Sequence, residues 1–135
     1  MTIGRTRRWL MSTSDRGSTS VEQLASISFL LFIMALSVVG GQYWHAHHIV
    51  QSAATRALEA ARADGATAAD GTEQGEASLA ALGGKLIGNP HVAVTRTATE
   101  VRVEITATAN GLVPLPIKVI RTGPVDRFAP MPVGG

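Results

Sequence analysis

Among the groups in this chain that could do chemistry, a glycine and a glutamate stand out by position. Gly17 closes a basic segment, MTIGRTRRWLMSTSDRG, and Glu22 lies five residues later, at the threshold of a long uncharged run. An ionised carboxylate close to a bilayer is costly unless it is paired, so an acid in this place points to function before stability. If the chain were cut after Gly17, the new amine on Ser18 would lie close to Glu22 along a helix. The same amine could also pair with Glu22 of a neighbouring subunit.

The other chemically capable groups form weaker sets. His45, His47 and His48 follow Trp44, and His45 and His48 share a helix face at a spacing that could hold a metal. No acid or further histidine lies nearby in sequence, so polar anchoring at a membrane surface explains them, and no metal site is assigned. Glu100 and Glu104 share a strand face with Arg102 between them, which reads as charge pairing on a solvated surface. Gly83-Gly84 and Gly88 are not followed by the lysine and hydroxyl of a phosphate loop. No nucleophile elbow appears either. The expectation is a protein with no catalytic residues and no cofactor.

Positioning Gly17 and Glu22 requires an element that continues beyond them. Residues 24–39, LASISFLLFIMALSVV, carry no charge, and the uncharged stretch from Gln23 to Thr55 covers 33 residues. Its membrane-competent part, 21–44, suits one crossing, since about 20 residues at 1.5 Å rise span a hydrocarbon core of about 30 Å. Ser26, Ser28 and Ser37 are tolerated there because a hydroxyl can bond back to a carbonyl one turn earlier. Gly40-Gly41 is a place where the helix could bend. Tyr43 and Trp44 follow at the far end, where amphipathic rings favour the headgroup layer. Arg5, Arg7, Arg8 and Arg16 precede the run and no base follows it closely. That asymmetry predicts the N-terminus in the cytoplasm and residues 45–135 outside.

Beyond the run the pattern changes twice. Ile49, Val50, Ala53, Ala54, Ala57, Leu58 and Ala61 recur at helical spacing, so the helix should continue amphipathically to about Arg62 or Ala63, where Asp64-Gly65 ends it. Residues 64–75 read as a flexible connection. A second short helix is expected over 73–86, with Leu79, Leu82 and Leu86 on one face, and Gly88-Asn89-Pro90 as a turn. The period then falls to two: Val92 and Val94, then Val101, Val103 and Ile105 after Ala98-Thr99, predict two antiparallel strands. Pro114 and Pro116 restrict residues 112–120 to an edge strand beginning near Ile117. The fold class is therefore α+β. A basic cytoplasmic leader (1–17) precedes a transmembrane and amphipathic helix (18–63). A small extracytoplasmic head (64–127) and a disordered tail (128–135) follow.

Composition agrees with this division. The charged fraction is 16%, against roughly 25% in soluble proteins, and aromatics make up 4%. A head so poor in large side chains could not cover the apolar helix, which argues against a buried core helix. The basic excess sits in the leader: from residue 51 onward eight bases face eight acids. A neutral body without a basic, aromatic-laced stripe excludes nucleic acid as a partner. The absence of cysteine excludes disulfides, cysteine zinc sites and thiol chemistry.

With the basic leader, Gly17, Ser18, Glu22 and the apolar run in place, residues 16–50 resemble type III prepilins, the substrates of prepilin peptidase. The resemblance implies cleavage after Gly17, Ser18 as the mature N-terminus and Glu22 as the subunit-docking acid. The small size, the RGSTSVE segment and the lone helix before a little β-rich domain look most like TadE-type minor pseudopilins of tight-adherence (Flp) pilus systems. Ser18 stands where many type IV pilins have phenylalanine, and Gln23 follows Glu22 where major Flp pilins usually have tyrosine. Major Flp pilins also end soon after the helix, so the resemblance implies a minor or assembly component. It implies as partners the peptidase, other pilin or pseudopilin subunits, inner-membrane platform proteins and the bilayer, in the bacterial cytoplasmic membrane or an extracellular pilus. Two other readings remain. Arg7-Arg8 loosely resembles a twin-arginine export signal, but the apolar segment begins too late and lacks an evident cleavage site. An unprocessed, signal-anchored envelope protein with a small binding module is the main alternative.

Overall fold

The computed structural model describes residues 15–127 and residue 134. Helix α1 (Asp15–Arg62) is followed by α2 (Ala68–Gly83), a 3₁₀ turn (Gly84–Leu86) and strands β1 (Ile87–Arg96), β2 (Glu100–Ala109) and β3 (Leu115–Pro124). The fold is α+β, as the change from helical to alternating hydrophobic period requires. By internal contacts the chain divides into two units, 1–37 and 38–135.

In the first unit the described residues are helical from Asp15 onward. The hydroxyls of Ser26, Ser28 and Ser37 donate to the carbonyls of Glu22, Leu24 and Ile33, each at 2.9 Å. Those bonds satisfy the three hydroxyls without solvent.

In the second unit the rest of α1 packs with a three-stranded antiparallel sheet of order β1-β2-β3. Central β2 sets the pattern: Val101, Val103, Ile105, Ala107 and Ala109 are buried, and the residues between them face the other way. With Val92, Ile117 and Val119 they share one core with Val50, Ala53, Ala54, Ala57, Leu58 and Ala61 of α1. The alanines keep that helix face shallow, so the branched side chains of the sheet fill the space between them.

Helix α2 departs from the sequence reading in extent and in face. It begins at Ala68, inside the stretch expected to be flexible, because Thr67 and Asp70 form a reciprocal cap. Thr67 N donates to Asp70 Oδ2 at 2.6 Å, and Asp70 N donates to Thr67 Oγ1 at 3.3 Å. The backbone bond from Thr67, then the one from its hydroxyl, holds the Asp70 carboxyl below the usual aspartate range. The buried face is Gly71, Gly75, Ser78, Leu79 and Gly83, whereas Leu82 is 43% exposed and Leu86 half-buried. A Cβ on Gly71 would stand 2.7 Å from Ala61 Cβ and 2.9 Å from the Ala57 carbonyl oxygen. One on Gly75 would stand 3.0 Å from Val92 Cγ1. Close approach, rather than a leucine stripe, selects this face.

The C-terminal end of α1 is held from two strands. The Arg96 guanidinium donates to the carbonyl of Ala61 and, at 3.1 Å, to that of Ala63, covering acceptors that the last helical turn leaves open. Arg62 donates through Nε to the Pro124 carbonyl at 2.8 Å and pairs with Asp126 at 2.9 Å. Gly65, at φ +75°, takes the left-handed position beyond the helix end.

Two strand boundaries also move. Gly88-Asn89-Pro90, expected as a turn, lies inside β1 as an irregularity between Gly88 and His91, with Asn89 at φ +46°. Asparagine is among the few non-glycine residues that adopt this conformation readily. Strand β3 starts at Leu115, earlier than the prolines suggested, with Pro116 opposite Thr108. An edge strand accommodates a proline whose missing donor would face outward. The tail expected over 128–135 lies, apart from Gly134, outside the described residues.

Gly71→Val should lower the stability of the second unit by about 1–3 kcal/mol through overpacking against Ala57 and Ala61. Thermal unfolding followed by circular dichroism checks this, with Gly40→Ala as the comparison: nothing lies within 4 Å of that position, and no loss is expected there.

Candidate functional site

The first turns of α1 carry the residues singled out by sequence. Gly17, Ser18 and Glu22 are all helical and exposed. Ser18 and Glu22 stand four residues apart and so share a helix face. A Cβ on Gly17 would meet nothing within 4 Å, and its backbone is not in the left-handed region. Packing against the described residues therefore gives no reason for a glycine at this position. Among the described residues Glu22 has no ion pair, although its carbonyl accepts from Ser26. Arg16 is placed as a position in α1, while Arg5, Arg7 and Arg8 lie outside the described residues.

The apolar run that follows is uncovered. From Val21 to Val38 the large apolar side chains all face away from protein, with Leu30 67% and Phe32 59% exposed. The helix is long and apolar enough to cross a membrane, and none of its most apolar window is buried. This is compatible with a membrane anchor. Water is a poor alternative, because covering a leucine- or phenylalanine-sized side chain gains roughly 1.5–3 kcal/mol.

Tyr43 and Trp44 lie in the second unit, Trp44 being 64% exposed. Their rings pair one turn onward: Tyr43 stacks with His47 at 6.0 Å between centroids, and Trp44 meets His48 edge-on at 4.3 Å. His47 and His48 thus serve as neighbours of the aromatic rings. Among the described residues no three His, Asp or Glu side chains gather closely enough to hold a metal.

Of the two strand carboxylates, Glu104 is paired on the solvated sheet face, whereas Glu100 has no ion pair among the described residues. Glu104 meets Lys118 at 2.9 Å across the sheet and Arg102 at 3.6 Å along its own strand. The bond from Lys118 is the main reason its carboxyl lies below the ordinary glutamate range. A surface hollow lined by Thr99, Glu100, Thr122, Gly123 and Pro124 brings together one carboxylate and no histidine or lysine.

Sequence reasoning passed over Gln42, whose Oε1 accepts from the Leu112 backbone N–H at 3.3 Å, and Arg96 at the end of α1. Neither belongs to a local motif, since their partners are 70 and at least 33 residues away. The Thr67–Asp70 cap was passed over too, although a hydroxyl followed three residues later by an acid is its local signal. Comparison with family models, curated proteins and solved structures finds no match to this chain.

Proposed function

We propose that the chain is a TadE-like minor pseudopilin or pilus-assembly component of a tight-adherence system, matured by prepilin peptidase. In this reading the peptide bond after Gly17 is hydrolysed on the cytoplasmic side, Ser18 becomes the N-terminus, and α1 anchors the protein in the cytoplasmic membrane with the second unit outside. The protein acts through helix packing and docking, without a catalytic site or cofactor. The observation that carries the proposal is the placement of Gly17, Ser18 and Glu22 on the first turns of one helix, directly before an uncovered apolar run. A glycine that the helix has no steric use for suits recognition by a peptidase.

The chemistry of Glu22 follows from the cut. Hydrolysis creates a positive amine on Ser18, one helical turn from the Glu22 carboxylate, and the two charges offset each other at the bilayer edge. In an assembly the same carboxylate can accept the amine of an adjacent subunit, which would set the axial register between helices. Gly40, Gly41 and the uncharged surface between them and Glu22 leave room for such helices to approach closely. The peptidase, companion pilin subunits and inner-membrane platform proteins are the partners this reading requires.

Mass spectrometry of the full-length protein, made with and without the peptidase, tests the cut. The expected mature chain begins at Ser18 only when the peptidase is present. An intact Met1 terminus in peptidase-competent cells would overturn the proposal in favour of an unprocessed envelope anchor. Glu22→Ala should leave cleavage intact while reducing incorporation into pili at least tenfold by immunoblot of sheared fibres, and wild-type incorporation would remove the docking role.

A further inference from the structure

The loop between β2 and β3, residues 110–114, exposes two large apolar side chains. Leu112 is 68% and Val113 50% exposed, in a loop with no charged residue. The loop is tied to α1 by the bond from Leu112 N to Gln42 Oε1, immediately before Tyr43 and Trp44. Asn110 ties it to the turn before β1: its N–H donates to the Leu86 carbonyl at 2.8 Å, and its Nδ2 to the Lys85 carbonyl at 3.3 Å. The loop, the aromatic pair and the 3₁₀ turn therefore form one end of the second unit. Lys85 is the only charged residue across 82–90 and 109–115. Acids occupy the opposite end, where Asp126 pairs with Arg62 and Glu100 opens β2.

We propose that this end of the second unit rests in the headgroup layer of the bilayer, with Leu112 and Val113 inserted beside Tyr43 and Trp44. The inference rests on the reading of α1 as a membrane anchor and adds a second, separate contact with lipid. Loops without acids suit an anionic lipid surface, with Glu76 set back on α2 beside Gly84 and Pro90: the aromatic rings occupy the interface and the Lys85 ammonium attracts phosphate. Solvent gives no reason for a leucine and a valine at a loop tip. The backbone bond to Gln42 fixes the loop at the level of the aromatic rings, continuous with the surface where the helix would leave the bilayer.

The chain has no cysteine, so single cysteines can be placed in the full-length protein and labelled with an environment-sensitive fluorophore. In vesicles of phosphatidylethanolamine and phosphatidylglycerol, Leu112→Cys and Val113→Cys should emit at shorter wavelength and be quenched at least twofold by lipids carrying a shallow nitroxide. Ala98→Cys, in the β1–β2 turn at the other end, should show neither effect. Ile33→Cys with a deep nitroxide reports the anchor independently. Quenching at Ile33 together with Ala98-like behaviour at Leu112 and Val113 overturns the loop contact and leaves the anchor standing. A blue shift at Leu112 without lipid quenching means that a protein chain covers the loop, and also overturns it. Loss of quenching at Ile33 removes the anchor and this inference together.

Discussion

One helix carries two different obligations toward apolar surface. Along α1 from Val21 to Val38 the large side chains have no protein cover, whereas from Ala46 to Ala61 the apolar face is closed against a sheet. The uncovered part holds eleven large apolar side chains. Leaving them in water would forgo on the order of 15 kcal/mol or more. A domain's whole stability is about 5–15 kcal/mol. The gain available from covering these side chains is as large as a whole domain's stability, which makes the first part of α1 compatible with a membrane anchor.

The economy of side chains in the second unit follows from its small size. Alanine on α1 and glycine on α2 replace bulk with proximity, and the branched residues of β2 fill what remains. Such a core gains less from transfer of large side chains than an ordinary one. Polar ties at the margins supplement it: Arg96 on the open carbonyls of α1, Arg62 on Pro124 and Asp126, and the Thr67–Asp70 cap. These bonds concentrate at the end of the unit remote from Tyr43 and Trp44. The end that carries those rings is apolar and holds a single lysine in its loops.

Much of this architecture was legible because its signals are periodic. The charge-free run, the alanine face from Ala53 to Ala61 and the alternation through Val101, Val103 and Ile105 each repeat often enough to define an element. The α2 face was misread because leucine was weighted as the mark of burial. Gly71 and Gly75 are buried for want of a side chain, against Ala57, Ala61 and Val92, and no hydrophobic scale marks them. Asn89 and Pro90 read as a turn for the reason they form an irregularity: both break a ladder, and only tertiary pairing distinguishes a break between strands from one within a strand. At the candidate site, Gly17 and Glu22 stand out in sequence by their spacing between a basic leader and an apolar run, and Ser18 through the resemblance to prepilins. Gln42 does not, because its partner is supplied by the distant β2–β3 loop.

The reading of α1 as a membrane anchor is the claim on which the functional proposal rests, and alkaline carbonate washing of membranes from cells producing the full-length chain tests it most directly. Carbonate removes proteins held by charge or by other proteins and leaves those embedded in hydrocarbon. The account predicts that the protein stays with the sedimented membranes. Its release into the supernatant, with a known integral protein retained in the same sample, would contradict the account.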